Sequence, residues 1–347
     1  MNDTPRMVKL TGPLFVFGGP YSNLEAAEAV LAEARRRAVP PGNIVCTGDL
    51  AAYCADPQGV IDRLRGSGIR IVMGNCEEAL AAEAADCGCG FVEDSACAAL
   101  STQWYAYAAR NVDAESCLWM GALPRRLELE INGRRLVVVH AGVTSINRFV
   151  FPSCTEAIEE ELAACGCDGV IAGHCGVPFT CEVGGRLWHN AGVIGMPAND
   201  GTPRGWFSVL TPSGDGIDVE HHALDYDYAS AGSKMRQRGL PEGYATALES
   251  GLWPSCDVLP PAELAARGRR LDPSAVIWRR LTNSIAVSRD DRASERPAPD
   301  SRAAAGSERS GPGRGQRGFR DARRDAPSVS GLPIRRLPWS RRRDAPA

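Results

Sequence analysis

Residues 44–57 read IVCTGDLAAYCADP, a short β-branched run that stops at a Gly-Asp pair. Four other apolar runs have Gly, Asn, Asp or His at or just after their last apolar residue. We predict buried strands at Leu14–Phe17, Ile44–Thr47, Ile69–Met73, Leu136–His140 and Gly169–Ala172. Ligands of open α/β sheets collect at the carboxyl ends of strands, so these five ends predict one shared site.

Longer amphipathic segments separate the strands. They predict helices at Leu24–Arg37, Pro57–Arg65, Glu77–Ala85 and Thr155–Ala164. Asn132-Gly133 and Gly184-Gly185 are set between apolar alternations and predict hairpin turns, which makes the second half of this region more antiparallel than the first. The predicted fold class is α/β, a two-sheet (αββα) sandwich flanked by helices rather than a doubly wound nucleotide-binding fold.

Composition divides the chain into three parts. Residues 1–227 carry the α/β pattern, residues 228–284 predict a small helical C-terminal extension, and residues 285–347 lack apolar periodicity and predict a disordered, Arg-rich tail. The net charge of −3 is also divided, because residues 281–347 hold 15 Arg against 8 acidic residues. The rest of the chain is acidic, so we expect no nucleic-acid-binding domain, whose mark is a basic face.

The cysteines and the N-terminal residues indicate the cellular compartment in which the protein is expected. The opening residues MNDTPRMVKLTG lack the pattern of a signal peptide, and no window has the roughly 18 apolar residues of a membrane span. We therefore expect a cytoplasmic protein without a membrane partner, in which the 13 cysteines are thiols or metal ligands rather than disulfides. Cys87-Gly-Cys89 and Cys165-Gly-Cys167 form either a four-thiol zinc site or tight turns, and their one-residue spacing favours the turns.

Six segments at the predicted strand ends form an ordered series. In chain order they are FGGPYSNLEA (17–26), TGDLAAYCADP (47–57), GNCEE (74–78), VVVHAGV (137–143), AGHCGVPF (172–179) and NAGVIGMP (190–197). The series resembles the signature blocks of the calcineurin-like metallophosphoesterases, over about residues 14–222. The resemblance implies a fold of the metallophosphoesterase type and a hydrolase that acts through two neighbouring divalent cations.

One cation position is complete by this resemblance. It makes Asp49 the bridging carboxylate, with Asn75, His140 and His174 as the other ligands of the same cation. Alone, each residue has an ordinary alternative, such as a turn former or a core histidine, but the ordered series favours ligands. One carboxylate, one amide oxygen and two imidazoles suit Mn, Fe, Zn or Mg.

By the same resemblance, the other cation position has lost all of its ligands except Asp49. Gly19, Tyr21 and Gly176 stand where the family has Asp, His and His. We therefore expect one divalent cation per chain, unless Tyr21 or a thiolate such as Cys175 supplies a replacement ligand. Tyr21 is more typical of a packing or hydrogen-bonding residue than of a ligand.

Cys76 takes the place of the histidine that serves most of the family as general acid. Some members carry Cys at that place, and a thiol with a pKa of about 8.5 is able to donate a proton. A cysteine is also simply a small buried residue, so both interpretations remain open.

The resemblance implies hydrolysis of a phosphate mono- or diester through a metal-bound hydroxide at the remaining cation position. The alternative is a catalytically weak or inactive binding protein with the same fold. The expected partner is a small phosphorylated substrate. No sequence pattern indicates its leaving group or an oligomeric state.

Overall fold

The computed structural model describes residues 7–279 and 334–336. Its α-helices are α1 (Leu24–Arg36), α2 (Pro57–Arg65), α3 (Asn75–Ala81), α4 (Ala96–Asn111), α5 (Ala114–Gly121), α6 (Thr155–Cys165), α7 (Tyr228–Gln237), α8 (Glu242–Ser250) and α9 (Pro261–Ala265). Its strands are β1 (Val8–Leu10), β2 (Leu14–Phe17), β3 (Ile44–Cys46), β4 (Arg70–Ile71), β5 (Arg126–Ile131), β6 (Arg134–Val139), β7 (Gly169–Ala172), β8 (Phe179–Val183), β9 (Arg186–Asn190), β10 (Gly205–Ser213), β11 (Gly216–Leu224), β12 (Ser274–Arg279) and β13 (Ile334–Arg336). All five predicted strands form, although β4 is shorter than expected.

The strands form two mixed sheets. One has the order β1-β5-β6-β7-β9-β8-β13 and the other has the order β12-β11-β10-β2-β3-β4. Strands β2, β3 and β4 are parallel in one sheet, and β6, β7 and β9 are parallel in the other. The pair β1–β5 is also parallel, and antiparallel pairs complete both sheets, including the two predicted hairpins β5–β6 and β8–β9.

The inner faces of the two sheets pack on each other. Val16 and Val45 of one sheet share a buried cluster with Val138 of the other, and all three are 0% exposed. Alternation along β2 sends Phe15 and Phe17 to the opposite face, where they pack with α1 and α2. Helix α6 covers the outer face of the other sheet. The predicted two-sheet sandwich flanked by helices is confirmed.

Helices α4 and α5 were not expected from periodicity. Helix α4 reads ACAALSTQWYAYAARN, in which alanines on several faces blur the apolar stripe. Trp104 and Tyr105 are nevertheless buried. The local signal that was available is the helix cap, since the Ser95 hydroxyl accepts the Ala98 N–H at 3.1 Å.

The segment after residue 227 is integrated into the same body. Helices α7 and α8 bury Met235 and Leu248 in the cluster that also holds α1. The sequence predicted a helical extension over residues 228–284. The structure adds a strand there, because β12 pairs with β11. The alternation in SAVIWR explains the strand, since Trp278 is 0% exposed while its neighbour Ile277 is 49% exposed.

The tail predicted to be disordered over residues 285–347 lies outside the described residues, with the exception of β13. Strand β13 pairs with the edge of β8, with Ile334 opposite Val183. The structure differs from the prediction there because backbone pairing at an open sheet edge requires no apolar periodicity. None of the described helices is long and apolar enough to cross a membrane.

Trp278→Ala should lower the free energy of unfolding by about 3–5 kcal/mol, the usual cost of truncating a fully buried tryptophan. The Trp278 ring lies between the sheets, its Nε1 donates to the Gly185 carbonyl at 3.1 Å, and the Arg134 guanidinium lies 3.8 Å from a ring centroid. Urea denaturation of the full chain measures the change. Ile277→Ala on the exposed face is the control, and an equal loss in both variants would contradict this account of β12.

Candidate metal centre

Four loops at the carboxyl ends of parallel strands meet at one place. Asp49 follows β3 and Asn75 opens α3 just after β4, while His140 follows β6 and His174 follows β7. The first two strands belong to one sheet and the last two to the other, so the residues meet at the end of the sandwich where the carboxyl ends of both sets of strands adjoin. No one of the four is more than 7% exposed.

The ligand atoms of these side chains face one another at short range. His140 Nε2 lies 2.8 Å from His174 Nδ1, 3.0 Å from Asn75 Oδ1 and 3.2 Å from Asp49 Oδ2. Ligand atoms of Asp49, His140 and His174 all lie within 4.8 Å of one another, which no other set of three or more His, Cys, Asp or Glu among the described residues achieves. Ligands about 2.1 Å from one ion are separated by roughly 3 Å, so these distances fit one coordination shell.

Backbone carbonyls set the orientation of two ligands. His140 Nδ1 donates to the Thr47 carbonyl at 2.6 Å, so in the neutral ring Nε2 presents a lone pair to the centre. Asn75 Nδ2 donates to the Cys87 carbonyl at 2.9 Å, which turns Oδ1 inward. The centre thus brings lone pairs together, and a positive charge between them is what such an arrangement requires. The residues therefore fit a divalent cation.

Glu77 is a structural residue of the site that sequence reasoning missed. Its fully buried carboxylate accepts the backbone N–H groups of Asp49 and Leu50 at 2.7 Å and of Gly74 at 2.8 Å. These bonds hold Asp49 at a φ of 59°, which residues other than glycine rarely adopt. The available signal was a Glu three residues after Gly74 at a helix start, where a side chain commonly satisfies the free N–H groups.

Electrostatics favour an ionised Asp49 beside a neutral His174. Burial opposes ionisation of Asp49, but the adjacent His140 outweighs it and holds the pKa of the carboxyl at about 2. Burial and the charge of His140 lower the pKa of His174 to about 3. Burial also disfavours a charged His140, but the Asp49 carboxylate outweighs burial and raises the pKa of His140. Burial, followed by the charge of Asp49, raises the pKa of Glu77 to about 7. Ionised carboxylates and neutral imidazoles are the forms that bind cations, so a cation would compete with a proton at His140.

Gly19 and Tyr21 lie beside Asp49 on the loop after β2. The Tyr21 N–H donates to the Asp49 carbonyl at 3.0 Å, and the Gly19 N–H donates to the Gly48 carbonyl at 3.1 Å. A Cβ on Gly19 would collide with the ring of Tyr21. The ring therefore fills the space into which an aspartate at position 19 would project. Burial, followed by the charge of Asp49, raises the pKa of Tyr21 well above its ordinary value, so the phenol is neutral.

Gly176 borders the same cavity as Asp49 and is also covered by an aromatic ring. Its φ is 75°, and a Cβ there would lie 3.3 Å from Cζ2 of Trp253. The neighbouring Cys175 does not belong to the group of close ligand atoms, and burial raises the pKa of its thiol to about 12. Its sulfur instead accepts Asn190 Nδ2 at 3.2 Å.

Cys76 lies beside Asp49 but not on the cavity wall. The residue is 1% exposed, and its backbone N–H donates to Asp49 Oδ1 at 3.2 Å. Burial, followed by the charges of Asp49 and Glu77, raises the pKa of the thiol well above its ordinary value. This placement favours a small buried residue, and the proton-donor role stays a prediction.

The paired cysteines do not form a four-thiol site among the described residues. Cys87 and Cys89 are joined in a disulfide, contrary to the expectation of reduced thiols. Gly88 lies between them with a φ of 62°, in a turn that brings the two side chains together. Cys165 and Cys167 are free thiols whose sulfurs lie 2.7 Å apart at the end of α6.

A cavity of about 80 Å³ opens directly beside Asp49 and His174, two of the four candidate ligands. Asp49, His174 and Tyr21 border it on the side of the strand ends. Tyr244 of α8 and the following segment around Trp253 border it on the other side. The region expected to be an appendage therefore builds part of the wall of the site.

Two chains of known structure share this fold. A metallophosphoesterase from Sphaerobacter thermophilus is 23% identical, with a TM-score of 0.54, 71% of this chain and 100% of that chain covered. A hypothetical protein from Pyrococcus horikoshii is 15% identical, with a TM-score of 0.59, 70% of this chain and 99% of that chain covered.

The sequence is similar to a known protein and matches a family model. An uncharacterized protein of Methanocaldococcus jannaschii is 26% identical over 240 residues, which are 64% of this chain and 91% of that protein. The family model described as the calcineurin-like phosphoesterase superfamily domain matches residues 22–212, more than half of the chain and all four clustered ligands. With its strand-end ligands and its two-sheet sandwich, the chain belongs to the calcineurin-like phosphoesterase superfamily.

Proposed function

We propose that the protein is a metal-dependent phosphoesterase that hydrolyses a phosphate mono- or diester with a single divalent cation, Mn, Fe, Zn or Mg. The observation that supports this most is the convergence of Asp49, Asn75, His140 and His174 on one point. Membership of a superfamily of phosphoesterase hydrolases supports the reaction class. The proposed partner is a small phosphorylated substrate, which reaches the ligands through the adjacent cavity.

A divalent cation bound there would polarise a phosphoryl oxygen and lower the pKa of a coordinated water. The chain orients the residues of the site through hydrogen bonds and ring contacts. Thr47 fixes the His140 ring, and Glu77 fixes the backbone that carries Asp49. Phe149 lies against His174 with ring centroids 4.4 Å apart, so an apolar ring limits the access of water to this ligand.

The loss of one cation position limits this chemistry. Two cations clamp both the attacking and the leaving oxygen, and the loss of a few kcal/mol of transition-state stabilisation slows a reaction on the order of a hundredfold. The Tyr21 ring beside Asp49 therefore favours a second candidate function. In it, the same residues and one cation bind a phosphorylated ligand with little or no turnover.

Hydrolysis of a chromogenic phosphodiester in the presence of Mn, Fe, Zn or Mg tests the proposal. We expect turnover that requires one of these metals and that Asp49→Asn removes, because the amide lacks the charge that holds the cation. Tight metal binding without turnover by any metal would favour the second candidate.

The full chain should bind close to one divalent cation, and His174→Ala should weaken binding by about tenfold or more because it removes a ligand. Equilibrium dialysis with elemental analysis measures both. His222→Ala is the matched control, since His222 lies beside Arg37 and outside the cluster. Two tightly held cations, or an unchanged His174→Ala variant, would contradict the ligand assignment.

The double variant Gly19→Asp, Tyr21→His should raise the stoichiometry from one cation toward two. The tyrosine ring fills the space that the introduced aspartate side chain would need, so both positions must change together. Gly19 has a φ of 38°, a strained conformation for any side chain, and thermal melting must first show a folded variant.

Gly19→Asp alone is the control for that variant. It should lose stability and bind one cation, because the Tyr21 ring remains in place. A folded double variant that still binds a single cation would refute the assignment of these two positions to the lost site.

A further inference from the structure

The cavity beside the proposed metal ligands has an aromatic lining. Its aromatic residues are Tyr21, Tyr53, Phe91, Phe149, Tyr244 and Trp253. Val193, Met196 and Val258 add further apolar surface. The volume of about 80 Å³ has room for several water-sized groups, since one water needs roughly 10–15 Å³ by this measure. The cavity is therefore suited to a flat apolar group of a ligand.

The aromatic rings of the cavity extend from contact with the proposed ligands. Phe149 contacts the His174 ring, and Trp253 covers Gly176 two residues further along. On the other side, Tyr53 contacts Tyr21 and Tyr244, with ring centroids 4.8 and 4.7 Å apart. A phosphoryl group placed at the ligands would have its substituent among these rings.

Charge in the cavity is scarce. Among the described residues that line it there is no Lys or Arg, and Asp49 is the one carboxylate. Arg148 is adjacent in sequence to Phe149, but its guanidinium pairs with Glu160 and Glu161. A single divalent cation would be offset by the Asp49 carboxylate and, when it is ionised, by the buried Glu77 behind it, so the centre compensates a monoanion better than a dianion. A multiply charged phosphate would bury uncompensated charge, which is costly.

We infer that the substrate is a monoanionic phosphodiester with an aromatic substituent, and that polyphosphates and dianionic monoesters are disfavoured. The inference rests on the proposed function for the position of the phosphoryl group at the ligands. In the reaction, a water oxygen forms a bond to phosphorus and the bond from phosphorus to one ester oxygen breaks. The leaving alcohol takes one proton of the water, and a phosphate monoester remains.

Three probes that lack a hydrolysable ester test the aromatic ring and the single negative charge separately. Methyl(phenyl)phosphinate is an aromatic monoanion, dimethylphosphinate is a monoanion without a ring, and phenylphosphonate is an aromatic dianion at sufficiently high pH. Calorimetric titration of the metal-loaded full chain measures their affinities. We expect the aromatic phosphinate to bind about tenfold or more tightly than the dimethyl probe, through burial of the ring, and also more tightly than the dianion.

Variants locate the aromatic preference. Trp253→Ala should reduce the preference for the phenyl probe severalfold, and Trp253→Phe should retain it. Tyr228→Ala, which removes an exposed ring outside the cavity, is the matched control and should change nothing. Phe91→Leu provides a second test at a half-buried lining position if Trp253→Ala does not fold.

The outcomes distinguish this inference from the proposed function. Equal affinity for the phenyl and dimethyl probes, or tighter binding of the dianion, would overturn the inference even if the protein hydrolyses phosphodiesters. A preference for the aromatic monoanion that persists in the absence of any turnover would support the inference as a ligand specificity while the proposed catalysis fails. A preference that Trp253→Ala and Phe91→Leu leave unchanged would place the ring elsewhere and would refute the assignment of this cavity.

Discussion

Three backbone N–H groups, from Asp49, Leu50 and Gly74, converge on the buried carboxylate of Glu77. Each side satisfies the other. A buried carboxylate without donors would destabilise the fold, and so would buried N–H groups at strand ends without acceptors. The interaction ties the loop after β3 to the loop after β4 and keeps Asp49 in its left-handed conformation. The 3.2 Å approach of Asp49 to His140 across the two sheets depends on that backbone position.

One side of Asp49 is bordered by aromatic rings rather than by charged groups. The superfamily pattern would place a second cation there, and this chain places the ring of Tyr21 over Gly19 and the ring of Trp253 over Gly176. The two rings give this side of Asp49 an apolar surface. Asp49 consequently has a polar side, formed by Asn75 and the two imidazoles, and an apolar side that continues into the cavity. Affinity for a ligand would then come from one strong ionic contact and from ring burial rather than from many charges.

The sequence allowed the sandwich and the convergence of Asp49, Asn75, His140 and His174 to be predicted, because strands and their terminal residues are encoded locally. The packing role favoured for Tyr21 agrees with its burial. Other features depend on contacts that no local pattern reports. Glu77 acts through backbone groups 27 and 28 residues away, and α4 has too many alanines for a clear apolar face. The wall around Trp253 comes from a segment outside the family match, and no sequence pattern indicated that this segment reaches the site.

The position of that wall in the chain has a consequence for synthesis on the ribosome. The last proposed ligand, His174, precedes Tyr244 and Trp253, so every ligand is translated before the residues that close the cavity. A nascent chain that has emerged only as far as β11 holds all four ligands while Gly176 still lacks its covering ring. A cation could therefore reach these side chains before the C-terminal segment is available to narrow access to them.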